Sequence, residues 1–459
     1  MLINNSRIGI SFSTCDDRDY VGHCWKRRKA NHLVLAEVSC DNYMGSIFLQ
    51  LLLLSLAKSF FVELDVVVVY IIGLTSIFVV IRILRSSRSI QPYLLIGYIL
   101  RLFSLFWDVY FRHIYVLPHS GGDSEGFFNS AVLIASNPSL LKEAIYGGYY
   151  SKMVGIMYSI TGPDRLLGQF LNVLFGMSIM FIVLKILTIL EIDSKVQKTI
   201  VVLVSLFPHS IIFSGIFLRE NVITMLVIAS AYFLIRWTLM NSPVDAVIAV
   251  LLLLIASSFH AGVIGLLAGY TFLYMFYSPK SKAFTFRPRT VSAFLLMMLA
   301  SMVVYLQFGH VFLAKFQTVE DIAGIYGVAS SSRGGSAYLT SLKINSIWQL
   351  FVYAPIKMIY FLVVPLPHHW RGFNDLMSFC LDGAVYLYFL IYFIKQRRVI
   401  ARTPLAIGLT IALLGVIFVF GVALSNAGTA LRHRHKIYPV FLVLIAVIKE
   451  ETVVAAFTD

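Results

Sequence analysis

The chain is poor in charge. Of its 459 residues only 13% are Asp, Glu, Lys or Arg, and 59% are hydrophobic, whereas a soluble domain carries about a quarter charged and about half apolar residues. That shortage excludes a solvated globular surface of matching size. Disordered, collagen-like and coiled-coil chains are excluded as well, because nothing here is polar enough or periodic enough. Cysteine is scarce: there are four, Cys15, Cys24 and Cys40 near the start and Cys380 alone in an apolar segment. With no CxxC spacing, neither a zinc site nor a disulfide framework has support. No Gly-rich phosphate loop follows a strand, which argues against soluble-nucleotide chemistry. Acids are few too, 23 against 37 bases, leaving a net charge of +14. In a soluble protein that excess would point to nucleic acid. Here it fits cytoplasmic loops and contact with anionic lipid or phosphate, and no nucleic-acid partner is expected.

What the chain has is apolar length. A spanning helix needs about 20 mostly apolar residues. About a dozen runs qualify, near 46–62, 65–84, 92–111, 166–190, 198–216, 221–238, 244–258, 261–277, 290–308, 375–394, 405–424 and 437–449. The expected fold is therefore all-α, a polytopic transmembrane helical bundle of about 12 spans with outer interfacial helices. It would occupy residues 44–459, behind a polar segment, 1–43, that carries Lys26-Arg27-Arg28-Lys29. That segment reads either as a cytoplasmic tail or as sequence upstream of a true start at Met44.

Short basic loops at Arg82/Arg85/Arg88, Lys195/Lys198, Lys280–Arg289 and Lys395–Arg402 belong on the cytoplasmic side. The long connections 112–165 and 309–374 then fall outside, with the turns at Arg219–Asn221, His260 and Arg432–Lys436. This assignment holds only if 346–366, which contains Pro355, Lys357 and Pro365, is re-entrant or lies in the interface rather than crossing. The oddities thus gather on one face, where any active site would sit.

Six groups carry potential chemistry. His119-Ser120-Gly121-Gly122-Asp123-Ser124-Glu125 places two carboxylates beside flexible backbone. Asp123 and Glu125 suit a general base or a divalent cation, and Asp123 suits the cap of a helix over 124–135. Arg219 and Glu220 break an apolar stretch. Adjacent ionisable residues at membrane depth usually mark function; Arg219 would take an anionic oxygen and Glu220 would orient it. His260 follows a small-residue turn. Arg333 stands among serines and glycines that offer donors to a phosphate or sugar. Arg432-His433-Arg434-His435-Lys436 is a basic run on the outer face, against the charge bias, so Arg432 and Arg434 read as binders of a phosphate or diphosphate. His368 and His369 would point in opposed directions on a helix, a poor metal site.

The pattern Arg101…Asp108…His119…Asp123-Ser124-Glu125, then Pro163-Asp164-Arg165 leading into a long helix, Pro208 with Arg219–Glu220, and Arg432-His433-Arg434…Pro439 resembles the GT-C class of multi-pass glycosyltransferases. The likeness is to their protein-mannosyltransferase-like and lipopolysaccharide-core-transferase-like branch, over residues 92–450. It departs from many members in separating Asp123 from Glu125 by Ser124, and it lacks the large soluble outer domain of some relatives.

The resemblance implies a plasma (inner) membrane enzyme of cell-envelope polysaccharide or glycoconjugate assembly. Its partners would be a polyprenyl-phosphate sugar donor, a lipid- or glycan-linked acceptor and membrane lipids. Asp123 would be the base and Glu125 its assistant or a cation ligand. Arg432 and Arg434, with Arg219 or Arg333, would neutralise the phosphate. An exopolysaccharide or O-antigen repeat-unit polymerase, with His260 or His119 as base, is the nearest alternative. A lipid or polysaccharide transporter is the alternative from another class.

Overall fold

The computed structural model describes residues 64–286, 335–342 and 344–458, together with isolated positions from 288 to 292. The polar segment 1–43, the expected spans 46–62 and most of 290–308, and Arg333 lie outside the described residues. Apart from a two-residue hairpin (β1, Tyr277–Ser278; β2, Ala283–Phe284), the regular structure described is helical.

Most of the helices fall where the apolar runs are; Gly122–Ser136, Tyr149–Thr161, Arg397–Arg402 and Ala427–His435 form in the connections between them. In chain order the helices are α1 (Leu64–Leu84), α2 (Gln91–Tyr110), α3 (Gly122–Ser136), α4 (Tyr149–Thr161), α5 (Arg165–Ile189), α6 (Ser194–Leu206), α7 (Pro208–Gly215), α8 (Glu220–Met240), α9 (Pro243–Phe259) and α10 (Leu267–Phe276). After the gap come α11 (Ile347–Val363), α12 (Phe373–Ser378), α13 (Ala384–Lys395), α14 (Arg397–Arg402), α15 (Pro404–Ala423), α16 (Ala427–His435) and α17 (Tyr438–Thr458). Local chemistry sets many starts. Pro92, Pro208, Pro243 and Pro404 occupy the first turns of α2, α7, α9 and α15, where a missing N–H costs nothing. Asp164, Asp193, Ser242, Ser346 and Asn426 cap α5, α6, α9, α11 and α16 with side-chain oxygens.

Among the described residues five helical segments are long and apolar enough to cross a membrane: α2, α5, α8, the joined segment Phe373–Lys395 and α15. The expected span 198–216 is not one straight helix. Pro208 removes a backbone donor and crowds the preceding turn, so α6 and α7 meet at a bend of 44°; counted as one broken span, they bring the total to six. The twelve expected from run length alone include several shorter helices, such as α9 and the segment Ala261–Phe276 that ends in α10.

α5 sits at the centre, buried on nearly every side. The 3₁₀ turn Ala261–Leu266 and α10, which follows it, pack on α15 at backbone distance: a Cβ on Gly265 would lie 2.6 Å from the Gly415 carbonyl oxygen, and one on Gly269 would meet the Gly408 carbonyl. Small residues at such crossings let helices approach closely in an apolar solvent.

α11 does not run along α15. Phe351, Met358 and Phe361, spread over about 15 Å of helix, all meet the single turn Phe418–Gly421. The helix therefore lies across one end of α15. At the same end, α3 and α4 run side by side in the same direction. Ser151 Oγ donates to the Phe127 carbonyl (3.2 Å), and Gly155 lies against Ile134.

Candidate active site

The break between α7 and α8 is the foundation of the site. Residues Ile216–Leu218 are not helical, so their carbonyls need other donors. Asn172, fully buried on α5, supplies them: its Nδ2 donates to the Ile216 and Leu218 carbonyls, both at 2.8 Å. Asn221 ties the far side, donating to the Asn172 carbonyl (3.1 Å) and Ser214 Oγ (2.8 Å). Its Oδ1 faces His435 Nε2 at 2.9 Å, so His435 is the Nε2–H tautomer. Arg219 and Glu220 are thereby set at the mouth of the bundle.

Arg432, on α16, joins three elements. Its Nε and Nη2 donate to Glu220 Oε1 at 3.0 and 2.8 Å, and its Nη1 donates to Asp123 Oδ2 on α3. Lys436 Nζ stands 3.8 Å from the same Glu220 oxygen. Glu220 is almost completely buried, and its Oε2 has no hydrogen-bond partner among the described residues. A buried carboxylate is costly unless paired with cations, and Arg432 and Lys436 meet that need. Asp123 differs: 40% of its side chain is exposed, and Tyr146 donates to its other oxygen. Burial pushes the Asp123 carboxyl up, but the hydrogen bonds from Tyr146 and Arg432 outweigh it and hold the group below the ordinary aspartate value. Donation to Asp123, then burial, raises Tyr146 in turn.

Arg219 is held in a different way, by charge attraction to Glu220 and Asp123 rather than by hydrogen bonds. Its guanidinium makes no hydrogen bond to any described residue and lies over the Phe127 ring, 5.4 Å from the centre. At the Asp123–Arg432 pair, therefore, Arg219, Arg432 and Lys436 face two carboxylates among the described residues.

His119 adopts φ +68° and packs on Phe213, with ring centres 5.5 Å apart. Burial, reinforced by Arg432 and His209, pushes it down to about 4, so it is neutral at physiological pH. A histidine protonated in the unfolded chain but not in the folded one lowers stability as pH falls. Wild-type protein is thus expected to melt lower at pH 5 than at pH 7, and His119→Gln to lose less over that interval. Equal losses in thermal melts would contradict this.

Several expected roles are corrected by these positions. Asp123 does not cap α3; Gly121 occupies the cap position and Asp123 lies in the first turn, which frees its carboxylate for Arg432. Glu125 is engaged elsewhere, by Arg112 and by both terminal nitrogens of Arg165 (3.0 and 2.7 Å). The hydrogen bonds from Arg165, with burial opposing, hold Glu125 below its usual range. Arg165 also lies 3.7 Å from Asp108, which accepts from Gln169 (2.7 Å) and Ser120, so Glu125 belongs to the tie that fastens the 112–125 loop to α5. A cation shared by Asp123 and Glu125 does not fit, because each carboxylate is held by different guanidiniums. Among the described residues no three His, Cys, Asp or Glu side chains gather as metal ligands.

Arg434 does not reach the site. Two residues on a helix differ by about 200°, so it points opposite to Arg432. There it is fully buried, donating to the Phe361, Leu362 and Val364 carbonyls at 2.8–2.9 Å and pairing with buried Asp382. Arg434→Met is expected to destabilise the protein by about 3–5 kcal/mol, because Asp382 is left buried and uncompensated. Asp382→Asn in the same chain should recover part of that loss, measured by thermal unfolding in detergent; no recovery would show that the carbonyl bonds alone matter.

His260 pairs with His433. Its Nε2 lies 2.9 Å from His433 Nε2, while His433 Nδ1 meets the Thr429 carbonyl at 2.7 Å. A carbonyl only accepts, so His433 carries the Nδ1 proton and His260 donates. His368 and His369, expected to point apart on a helix, instead sit on a tight 3₁₀ turn with ring centres 3.9 Å apart. Sequence reasoning misses Tyr146, which carries no local signal. It also passes over Arg112 and Arg165 as partners of Glu125, and the buried Asn172 and Asn221, whose signal is polarity inside apolar runs.

The fold and site together define an all-α membrane protein with a cluster of acids and bases at one end of its bundle. No family model, no curated protein and no solved structure matches the chain.

Proposed function

We propose that the chain is a plasma-membrane glycosyltransferase that moves a sugar from a polyprenyl-phosphate carrier to an acceptor hydroxyl at the outer face. The observation that carries this reading is the contact of Asp123 with Arg432, 309 residues apart in the chain, beside the guanidinium of Arg219, which makes no hydrogen bond to a described residue. A carboxylate next to fixed cations is the pair that such a transfer requires. Asp123 accepts the proton of the acceptor hydroxyl, and that oxygen forms a bond to the anomeric carbon. The bond from that carbon to the carrier phosphate breaks, and the phosphate leaves with the electron pair. The departing group is anionic, so preorganised positive charge at Arg432 and Arg219 stabilises the charge that develops. One displacement without a covalent intermediate inverts the anomeric centre. Apolar helices around the site would receive the prenyl chain, and α11, if it lies in the interface as the prolines and lysine of 346–366 suggest, would suit an acceptor at headgroup level.

The test uses purified protein in liposomes with a panel of polyprenyl-phosphate-linked sugars, radiolabelled in the sugar, and an extract of envelope glycolipids as acceptor. Label in a new glycosidic bond of inverted configuration is the expected result. Carrier or glycan crossing the bilayer with no bond formed would overturn the reading in favour of transport.

A further inference from the structure

We propose that the Arg432–Asp123 ion pair is exchangeable: an incoming phosphate ester takes the Nη1 edge of Arg432 from Asp123, so docking the leaving group and freeing the base are one event. This rests on the reading of the site as a phosphate-ester site.

Three features carry it. The two carboxylates on Arg432 are unequal. Glu220 is 1% exposed and holds the Nε–Nη2 edge, whereas Asp123 is 40% exposed and holds only Nη1. An anion arriving from outside therefore meets the exposed partner, while the buried one keeps the guanidinium in place. Second, Asp123 has an alternative partner in Tyr146 and is not left bare when Arg432 turns to the ligand. Third, Arg219 makes no hydrogen bond to a described residue and lies within electrostatic reach of both Asp123 and Arg432, so a phosphate that displaces Asp123 finds two guanidiniums.

The groups facing Asp123 are Tyr146, Arg432, Arg219, Glu220 and His119. Of these, Arg432 contributes both a hydrogen bond and a charge that hold the carboxylate acidic. Once Arg432 is shared with phosphate, Asp123 becomes a stronger base, so its proton affinity rises only when the donor is bound. A base silenced until then spares the empty site from idle proton traffic.

The experiment titrates farnesyl phosphate and, separately, inorganic phosphate into the full chain in nanodiscs by calorimetry. Asp123→Asn removes the competitor and is expected to tighten farnesyl phosphate binding about tenfold, the scale of one charge-assisted hydrogen bond. In the background Glu220→Gln/Arg432→Gln, which removes the guanidinium without stranding the buried acid, Asp123→Asn should give no gain. Weaker or unchanged binding in Asp123→Asn, or the same gain without Arg432, would overturn the exchange; the latter would mean that deleting any negative charge suffices. A gain with farnesyl phosphate alone assigns the ester as ligand, and a gain with both assigns the phosphate group itself; either supports the exchange. No sugar or acceptor is present, so failure of transfer and failure of exchange are read separately.

Discussion

Replacing Asp123 by asparagine is expected to lower sugar transfer by about 10²–10⁴-fold, the range contributed by a positioned general base, and to leave the protein folded. The carboxylate is partly exposed, and its partner Arg432 keeps both bonds to Glu220, so the cost to stability stays within about 1 kcal/mol, as for other accessible ion pairs. An amide at this position keeps one oxygen for Tyr146 but sets a donor NH2 group where Oδ2 met Arg432, and it cannot take up a proton from an acceptor hydroxyl. Transfer kinetics in liposomes, paired with a thermal melt, check both halves. Near-normal transfer by well-folded Asp123→Asn would end the base assignment. His260→Ala is the informative companion: His260 bonds to His433 and has no part in the proposed transfer, so its loss should cost far less than that of Asp123. The reverse order would favour the polymerase reading.

Arg432→Gln carries the second large effect, on two quantities at once. Removing the guanidinium takes both strong donors from Glu220 Oε1 and leaves Lys436 at 3.8 Å as the nearest cation. A buried carboxylate that loses its hydrogen-bonded partner costs up to about 3–5 kcal/mol, the upper end applying where no other cation is near. Transfer should fall by about 10²–10³-fold, as when a preorganised electrostatic contact to the developing charge is lost. Adding Glu220→Gln separates these effects: stability should return, because no buried charge remains, while transfer stays low. Activity within a few-fold of wild type in Arg432→Gln, or no recovery of the melting temperature in the double variant, would contradict the arrangement.

Most of the helices are legible in the amino-acid sequence. The apolar runs 92–111, 166–190, 221–238 and 405–424 correspond to Gln91–Tyr110, Arg165–Ile189, Glu220–Met240 and Pro404–Ala423. Length and hydropathy are local properties, and so are the Pro and Asp/Ser/Asn signals at helix starts. The break at Pro208 is equally local, yet the run around it reads as one span because window hydropathy ignores a missing backbone donor. The opposed directions of Arg432 and Arg434 follow from the helical period, but only once their basic run is a helix rather than a turn.

By itself, then, the sequence determined that this protein is a helical bundle built for an apolar solvent. It also determined that the residues of unexpected polarity lie in the connections at one end. Both follow from how many apolar residues stand consecutively and where charge interrupts them. Which of those charges meet was decided by the tertiary structure alone. Asp123, Glu220 and Arg432 come from three helices with no shared periodicity. They converge because burying Glu220 demands a cation, and because the packing of α16 against α8 delivers Arg432 to it. Tertiary packing also divided the arginines by role, fastening Arg434 to carbonyls and Asp382, and Arg165 to Glu125. Arg219 was left without a hydrogen bond to any described residue, at the edge where an anionic ligand would enter.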